Sequence, residues 1–206
     1  TQEERKLAVE QPALMAGASF EEGLVDRIMD AVKDASGDLS ALQVALESLW
    51  KRQTAAGVLT HEAYDDFGGV SGAIAQLADD TLARLGIEQK ETLQEVFSRL
   101  VQPKKRDDDI EMLRVRAERD ELPAETWPLV EQLARARLLV TDRDRATGKD
   151  TVEVMHEALI RGWPPLKDWV RTDFEFLIWR DSFLNQIKAW QQVQEDPGAL
   201  LRGETL

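Results

Sequence analysis

The chain contains no cysteine and only two histidines, His61 and His156, among its 206 residues. Without cysteine it can form no disulfide, no thiolate zinc site, no cysteine-held iron–sulfur cluster and no thiolate nucleophile. The two histidines are separated by most of the sequence and offer little material for a histidine metal centre. These absences remove thiolate, iron–sulfur and zinc–histidine chemistry from consideration.

The sequence also lacks an apolar run long enough to span a membrane, and its polar start, TQEERKLAVEQ, has no signal-peptide pattern. This start is typical of a cut inside a longer chain. We therefore expect a soluble, cytoplasmic protein with no membrane partner. Acidic residues outnumber basic ones by 39 to 26, giving a formal net charge of −13, which disfavours nucleic acid as a partner because phosphates repel such a surface.

No motif for phosphate binding or nucleophilic catalysis is present: the patterns G-x-x-x-x-G-K-[ST], G-x-G-x-x-G and G-x-S-x-G do not occur. The segment GGVSG at residues 68–72 lacks the lysine that follows a phosphate-binding loop, and it predicts a helix break with close backbone packing. The run KKRDDD at residues 104–109 lacks the spaced ligands of a calcium loop and predicts a solvated loop. We expect no catalytic residue and no metal site.

Hydrophobic periodicity predicts helices over most of residues 1–86. Ser19 and Glu22 form a capping-box pattern before a helix to about residue 35, and a leucine stripe predicts a second helix from Leu39 toward Gly57. Thr60 can cap a short helix, and another runs from about Ser71 to residue 85. We therefore predict an all-helical bundle over residues 1–86.

The pattern changes after residue 87 and predicts the succession of a winged helix-turn-helix. A helix over residues 88–101 is followed by a short strand near residues 113–117 and a helix over residues 124–137. The strands LLVTDR and DTVEVMH are joined by DRATGK, where Asp144 and Gly148 supply turn chemistry. We assign residues 87–170 to this domain.

The C-terminal part predicts a helical extension over residues 171–206. Pro164 and Pro165 must interrupt or restart a helix, a long helical run follows from residue 168 to about 193, and Asp196-Pro197-Gly198 ends it. This run carries aromatic residues at helical spacing. We interpret them as a packing and interaction surface, with Trp179, Phe183 and Trp190 as the interaction residues.

Four segments together resemble bacterial STAND NTPases, signal-transduction ATPases related to NACHT and NB-ARC proteins. They are GDLSALQVALESLW, LTHEAYDDFGGVSGAIAQLAD, LLVTDRD with TVEVMHEALIRGWPPL, and DPGALLRG. The resemblance covers nearly the whole chain, and VEVMHEALIRGWPPL is its most specific part. It implies the region after the nucleotide-binding core: a helical lid like that of AAA+ proteins, and then a winged-helix domain.

The resemblance implies two nucleotide-contacting residues. Met155-His156-Glu157 is similar to a Met-His-Asp motif whose histidine contacts the β-phosphate of bound ADP. Relatives commonly have Gly-x-Leu-Pro where this sequence has Gly37-Asp38-Leu39-Ser40, so Ser40 stands where the lid proline would approach the base. From the residues alone, the favoured interpretation of His156 is a hairpin-end histidine bonded to a neighbouring carbonyl, and Ser40 fits a helix cap as well as it fits the lid position.

The resemblance also implies the partners and the function. An upstream P-loop domain would hold ADP or ATP with magnesium, so that these residues alone need no cofactor and are not expected to hydrolyse ATP. A downstream repeat domain of the WD-repeat propeller type would act as the sensor, and activation would open a closed monomer into a homo-oligomer. The chain would then be a regulatory arm that couples nucleotide state to effector and sensor domains.

Two alternatives from other classes stay open. A winged-helix transcription factor would place the helix over residues 124–137 in the major groove, with a local basic cluster formed by Arg135, Arg137, Arg143, Arg145 and Lys149. A protein-interaction scaffold would use the aromatic tail to bind a partner without any nucleotide linkage.

Overall fold

Helices dominate the fold. The computed structural model describes residues 2–34, 39–106 and 109–192, and it is 65% helical with small sheets, which confirms the mainly helical prediction. The helices in these ranges are α1 (Gln2–Met15), α2 (Leu24–Asp34), α3 (Leu39–Trp50), α4 (His61–Asp66), α5 (Gly69–Ala83), α6 (Ile87–Leu100), α7 (Trp127–Arg135), α8 (Glu157–Gly162), α9 (Pro164–Thr172) and α10 (Phe174–Gln192).

Seven short strands form three separate sheets in the described ranges. The strands are β1 (Ser19–Phe20), β2 (Val58–Leu59), β3 (Val101–Arg106), β4 (Asp109–Arg114), β5 (Ala117–Glu118), β6 (Leu139–Arg143) and β7 (Asp150–Val154). We call α1 to α5, with β1 and β2, the helical half, and everything from α6 onward the mixed half.

The start of the helical half differs from the sequence prediction. Ser19 is not a helix cap: it lies in β1, which pairs in parallel with β2, and its backbone N–H donates to the carbonyl of Gly57 at 3.0 Å. The next helix begins only at Leu24, after Gly23 with a φ of 78°. The serine–glutamate spacing is compatible with a strand as well, so the capping-box prediction was wrong. No separate helix was predicted over the residues of α1, and the pairing of β1 with β2 corrects the prediction that residues 1–86 are all-helical.

The rest of the helical half follows the predicted order of helices, but α3 ends at Trp50, well before the predicted end near Gly57. Helix α3 packs against α5 and buries Leu42, Ala45 and Leu49. The Thr60 hydroxyl oxygen accepts a hydrogen bond from the backbone N–H of Ala63 at 3.2 Å and caps α4, as predicted. Residues 35–38, between the first two predicted helices, lie outside the described residues.

The glycine-rich segment breaks the chain between α4 and α5, as predicted. Gly68 and Gly69 have φ values of 78° and 64°, a left-handed backbone that glycine adopts without a Cβ clash. A Cβ added to Gly72 would lie 1.8 Å from the carbonyl oxygen of Phe67. The segment therefore serves close packing of one helix end against the next.

In the mixed half, the solvated loop predicted at residues 104–109 was wrong for the residues that the structure describes there. Lys104, Lys105 and Arg106 belong to β3, which pairs antiparallel with β4 from Val101↔Arg114 to Arg106↔Asp109. Val101 and Pro103 are buried while Lys104 is exposed, so the strand alternates and β3 packs against α10. A two-stranded ribbon has room for charges on its open face. Asp107 and Asp108 lie outside the described residues.

A three-stranded antiparallel sheet in the order β5-β7-β6 follows. Strands β6 and β7 form the predicted hairpin, paired from Leu139↔Val154 to Arg143↔Asp150. Asp144 accepts hydrogen bonds from the backbone N–H groups of Ala146 and Thr147, at 2.7 and 2.9 Å, and Gly148 has a φ of 70°. These contacts confirm the predicted turn chemistry.

The C-terminal helices are segmented by proline and by a turn. Pro164 begins α9 directly after Trp163, which confirms the predicted interruption. The long run expected from residue 168 is divided, because α9 ends at Thr172 and α10 begins at Phe174. Residues 196–198, expected to end this run, lie outside the described residues. No helix in the described ranges has the length and apolar character needed to cross a membrane.

One hydrophobic core runs through both halves. It extends from Leu24 and Ile28 in α2, through Ile74 in α5, to Phe97 in α6 and Trp163, all of them buried. Helix α5 contacts α8 directly. The buried side chains before and after residue 86 belong to one cluster. The division of the chain into two domains near this residue therefore stays a prediction.

The contact at Gly72 generates a stability prediction. We expect Gly72→Ala to lower the free energy of unfolding by about 3 kcal/mol or more, because its Cβ would overlap a backbone carbonyl that cannot rotate away. Urea denaturation measures this change. Gly86→Ala is the matched control: Gly86 has an ordinary φ of −69°, and an added Cβ would meet only the Gln89 Oε1 at 3.9 Å, an ordinary contact, so we expect a loss of about 0.5 kcal/mol. Equal losses would contradict the packing argument.

Candidate functional site

The start of α3 and the end of β7 meet in space. The backbone N–H of Met155 donates to the carbonyl of Leu138 at 3.0 Å, which fixes the chain just after β7. From the other half, the Ser40 hydroxyl in the first turn of α3 donates to the Met155 sulfur at 3.3 Å. The fold therefore brings Ser40, in α3, to the residue before His156, across 115 positions of sequence. We call this meeting point the junction.

His156 lies at the strand-to-helix turn that the sequence predicted. Its backbone is extended, with φ −119° and ψ 120°, and its carbonyl accepts the N–H of Leu159 at 3.0 Å as α8 begins. The residue is only 1% exposed. In this conformation no phosphate oxygen can contact the imidazole, so a nucleotide would fit here only if the ring became uncovered. The phosphate contact of His156 stays a prediction.

Trp163 forms a second contact between the two halves, and we include this contact in the junction. Its indole is fully buried, and its N–H donates to the carboxylate of Asp79 in α5 at 2.7 Å. The ring packs edge-on against Phe97 and Trp169, with centroid distances of 5.6 and 5.3 Å. A buried indole N–H needs an acceptor. The helical half supplies it.

The predicted interaction residues fall on α10. Phe176, Trp179 and Phe183 form a continuous row of stacked rings, with centroid distances of 6.0 and 5.4 Å. Phe176 is 58% and Trp179 48% exposed, whereas Phe183 and Trp190 are partly covered. The row is an exposed aromatic surface on the side of the mixed half.

The basic cluster considered for DNA binding is divided by the fold. Lys149 donates to the carboxylates of Glu118 and Asp120. These bonds raise the pKa of Lys149 to about 12, and the bond to Glu118 is the larger cause. Arg143 donates to the carbonyl of Gly148 at 2.9 Å. Two of the five cations are thus held within or beside the hairpin.

A family model described as "Novel STAND NTPase 1" matches residues 1–198. The chain belongs to this family of STAND NTPases. The resemblance inferred from the sequence is therefore confirmed at the level of the family. No curated protein and no solved structure matches the chain.

Sequence reasoning missed the part of this STAND NTPase site that the fold depends on. Asp79 and Trp163 are 84 positions apart, and neither position carries a local signal for the other. The Trp-Pro-Pro sequence predicted only a helix boundary. Among the described residues, no group of three His, Asp or Glu side chains is arranged to hold a metal ion.

The Asp79–Trp163 bond generates the second prediction. Replacing Asp79 by alanine leaves the buried indole N–H without its acceptor, and we expect the free energy of unfolding to fall by about 1–3 kcal/mol. Asp80→Ala is the matched control, because its carboxylate is exposed like that of Asp79 but does not accept the indole N–H, and removing it should change stability by no more than about 0.5 kcal/mol.

A double-mutant cycle with Trp163→Phe isolates this bond. When Asp79→Ala is combined with Trp163→Phe, the cost of losing the carboxylate should largely disappear, because no N–H is left to satisfy. An unchanged cost in the double mutant would mean that Asp79 stabilises the STAND NTPase chain by another route.

Proposed function

We propose that these residues form the regulatory arm of a STAND NTPase and couple the ADP or ATP state of a P-loop domain to sensor and effector domains. The observation that carries this proposal is the junction: Ser40 meets Met155, the residue before His156, and Trp163 bonds to Asp79, so that the two halves touch at both ends of α8. A change at one half therefore acts on the other.

The order of elements supports a winged-helix assignment for the mixed half. Helix α6 precedes β5, α7 follows, and the hairpin of β6 and β7 closes a three-stranded sheet in the order β5-β7-β6. We propose that the helical half is the lid. The inserted ribbon of β3 and β4 is an addition to the simple helix–strand–helix–hairpin order.

We propose that His156 is the residue through which nucleotide state acts on the arm. It lies where β7 ends and α8 begins, beside the contact between the halves. A histidine bonded to a phosphate makes a charge-assisted contact worth about 1.5–3 kcal/mol, enough to bias a two-state hinge. Because the ring is buried here, this contact requires the junction to open.

The nucleotide and the partners belong to the same proposal. A P-loop domain elsewhere in the parent protein would bind ADP or ATP with magnesium and carry out any hydrolysis, since these 206 residues contain no Walker A pattern. A repeat domain, for example a WD-repeat propeller, would bias the arm on ligand binding, and the opened form would assemble into a homo-oligomer.

ADP release tests this proposal. In a protein that carries the P-loop domain together with this arm, we expect His156→Ala to accelerate release of a fluorescent ADP about tenfold or more, because one charge-assisted bond is lost. Stopped-flow fluorescence measures the rate. His61→Ala is the matched control: it removes the other histidine, which contacts Arg27 and the carbonyl of Glu22 in the helical half.

Burial of His156 makes a second variant necessary. His156→Gln keeps an N–H donor, so we expect it to restore slow ADP release at least in part. If His156 were purely structural, the ADP release rates of the variants would instead rise in proportion to their loss of thermal stability. Unchanged ADP release in a folded His156→Ala protein would remove the proposed role.

A second candidate function, a nucleotide-independent interaction scaffold, is favoured by the aromatic row on α10. The stacked rings of Phe176 and Trp179 are about half exposed, as at many binding surfaces. This candidate expects partner binding to be the same with ADP, with ATP and without nucleotide. DNA binding has less support, since the hairpin cation Lys149 is held by two carboxylates.

A further inference from the structure

A cleft of about 500 Å³ lies where the end of α3, the middle of α5 and the C-terminus of α7 meet. Four cationic side chains line it against the two carboxylates of Glu47 and Asp80. The cations are Lys51, Arg52, Arg135 and Arg137. In a chain with a formal net charge of −13, this is a local reversal of sign, and it calls for an explanation.

Arg137 occupies a backbone position that favours glycine. Its φ is +61°, and it is the only residue other than glycine with a positive φ in the described ranges. Helix α7 ends there in a Schellman pattern, with the N–H of Arg137 on the carbonyl of Ala134 and the N–H of Leu138 on that of Leu133, both at 3.0 Å. Glycine would adopt this conformation without the Cβ strain that arginine incurs.

The other three cations of the cleft are engaged. Lys51 bonds to Glu47 at 2.9 Å, and Arg135 to Glu131 at 3.3 Å. Arg52 donates to the carbonyl of Ser48 and to the side chain of Gln76, each at 2.9 Å. These three side chains thus already have partners within the chain.

Arg137 differs from them. Within the described part of the chain, its half-buried guanidinium makes no hydrogen bond. It lies close enough to Glu47 to help lower the pKa of that carboxyl, although the bond from Lys51 is the main cause. A guanidinium presents several N–H donors in a planar fork that matches a carboxylate. These donors are available to a ligand.

We propose that this cleft binds an acidic segment of a partner protein, with Arg137 donating to a carboxylate of that segment. The floor is apolar, since Val44 and Ala73 are buried there and Leu77 is partly buried, so it suits a peptide with apolar side chains between its acids. A long polyanion such as DNA is repelled by the rest of the surface. The site involves no nucleotide and does not depend on the proposed function.

Peptide binding tests this proposal. The probe is a fluorescein-labelled 12-residue peptide of alternating Glu and Leu pairs, and its control has Gln at every Glu position. We expect fluorescence anisotropy to detect binding of the Glu peptide only, with an affinity that falls as salt is added. Arg137→Gly should weaken binding about 10- to 100-fold, and it should leave the thermal midpoint unchanged or raise it, because the left-handed strain is relieved.

Two further variants separate charge from geometry. Arg137→Lys keeps the charge and loses the fork, so its affinity should lie between those of wild type and Arg137→Gly. Arg145→Gly removes one exposed cation from the hairpin turn, away from the cleft, and should keep binding within about twofold of wild type.

Three outcomes would overturn the proposal. They are equal binding of the Glu and Gln peptides, unchanged affinity in Arg137→Gly, and binding of inorganic pyrophosphate at this cleft without binding of the peptide.

Discussion

The indole N–H of Trp163 donates to Asp79 and joins the two halves of this STAND NTPase chain, together with the weaker bond from the Ser40 hydroxyl to the Met155 sulfur. The indole is fully buried, so its N–H donates to a protein group. That acceptor is the Asp79 carboxylate, in a helix of the other half. Pro164 begins the next helix directly after it and restricts the backbone at Trp163. The ring is therefore fixed in place, and with it the contact between α5 and the α8–α9 turn.

The proposed switch residue lies on the same contact. His156 is the N-cap residue of α8, the helix that ends just before Trp163, and the sulfur of the preceding residue, Met155, accepts a hydrogen bond from the Ser40 hydroxyl. The His156 ring is buried beside this contact, and we propose that its exposure moves groups of both halves. A regulatory arm needs this property, because a local event at a nucleotide can reach distant domains only through a contact that has two discrete arrangements.

Local patterns predicted the parts of the fold that local forces determine. The Thr60 cap, the glycine break before α5 and the Asp144 turn each depend on neighbours within a few residues, and all three were predicted. The Ser19 pattern failed because its spacing fits a strand that pairs with residues 58 and 59, far along the chain. The β3–β4 ribbon was not predicted, because the charged run at residues 104–109 is typical of a solvated loop. Asp79, Trp163 and the cleft at Arg137 come together only after folding, and no periodicity encodes such pairs.

Native-state hydrogen exchange tests the central claim, that the contact at Trp163 and Asp79 couples the two halves so that they unfold as one cooperative unit. Under conditions of exchange at equilibrium, the slowest amides of α5 and of α6 should share one opening free energy and one denaturant dependence, because the bond from Trp163 to Asp79 and the common core tie them together. If α5 opened at a distinctly lower free energy while α6 stayed protected, the halves would be independent domains, and the account would be contradicted.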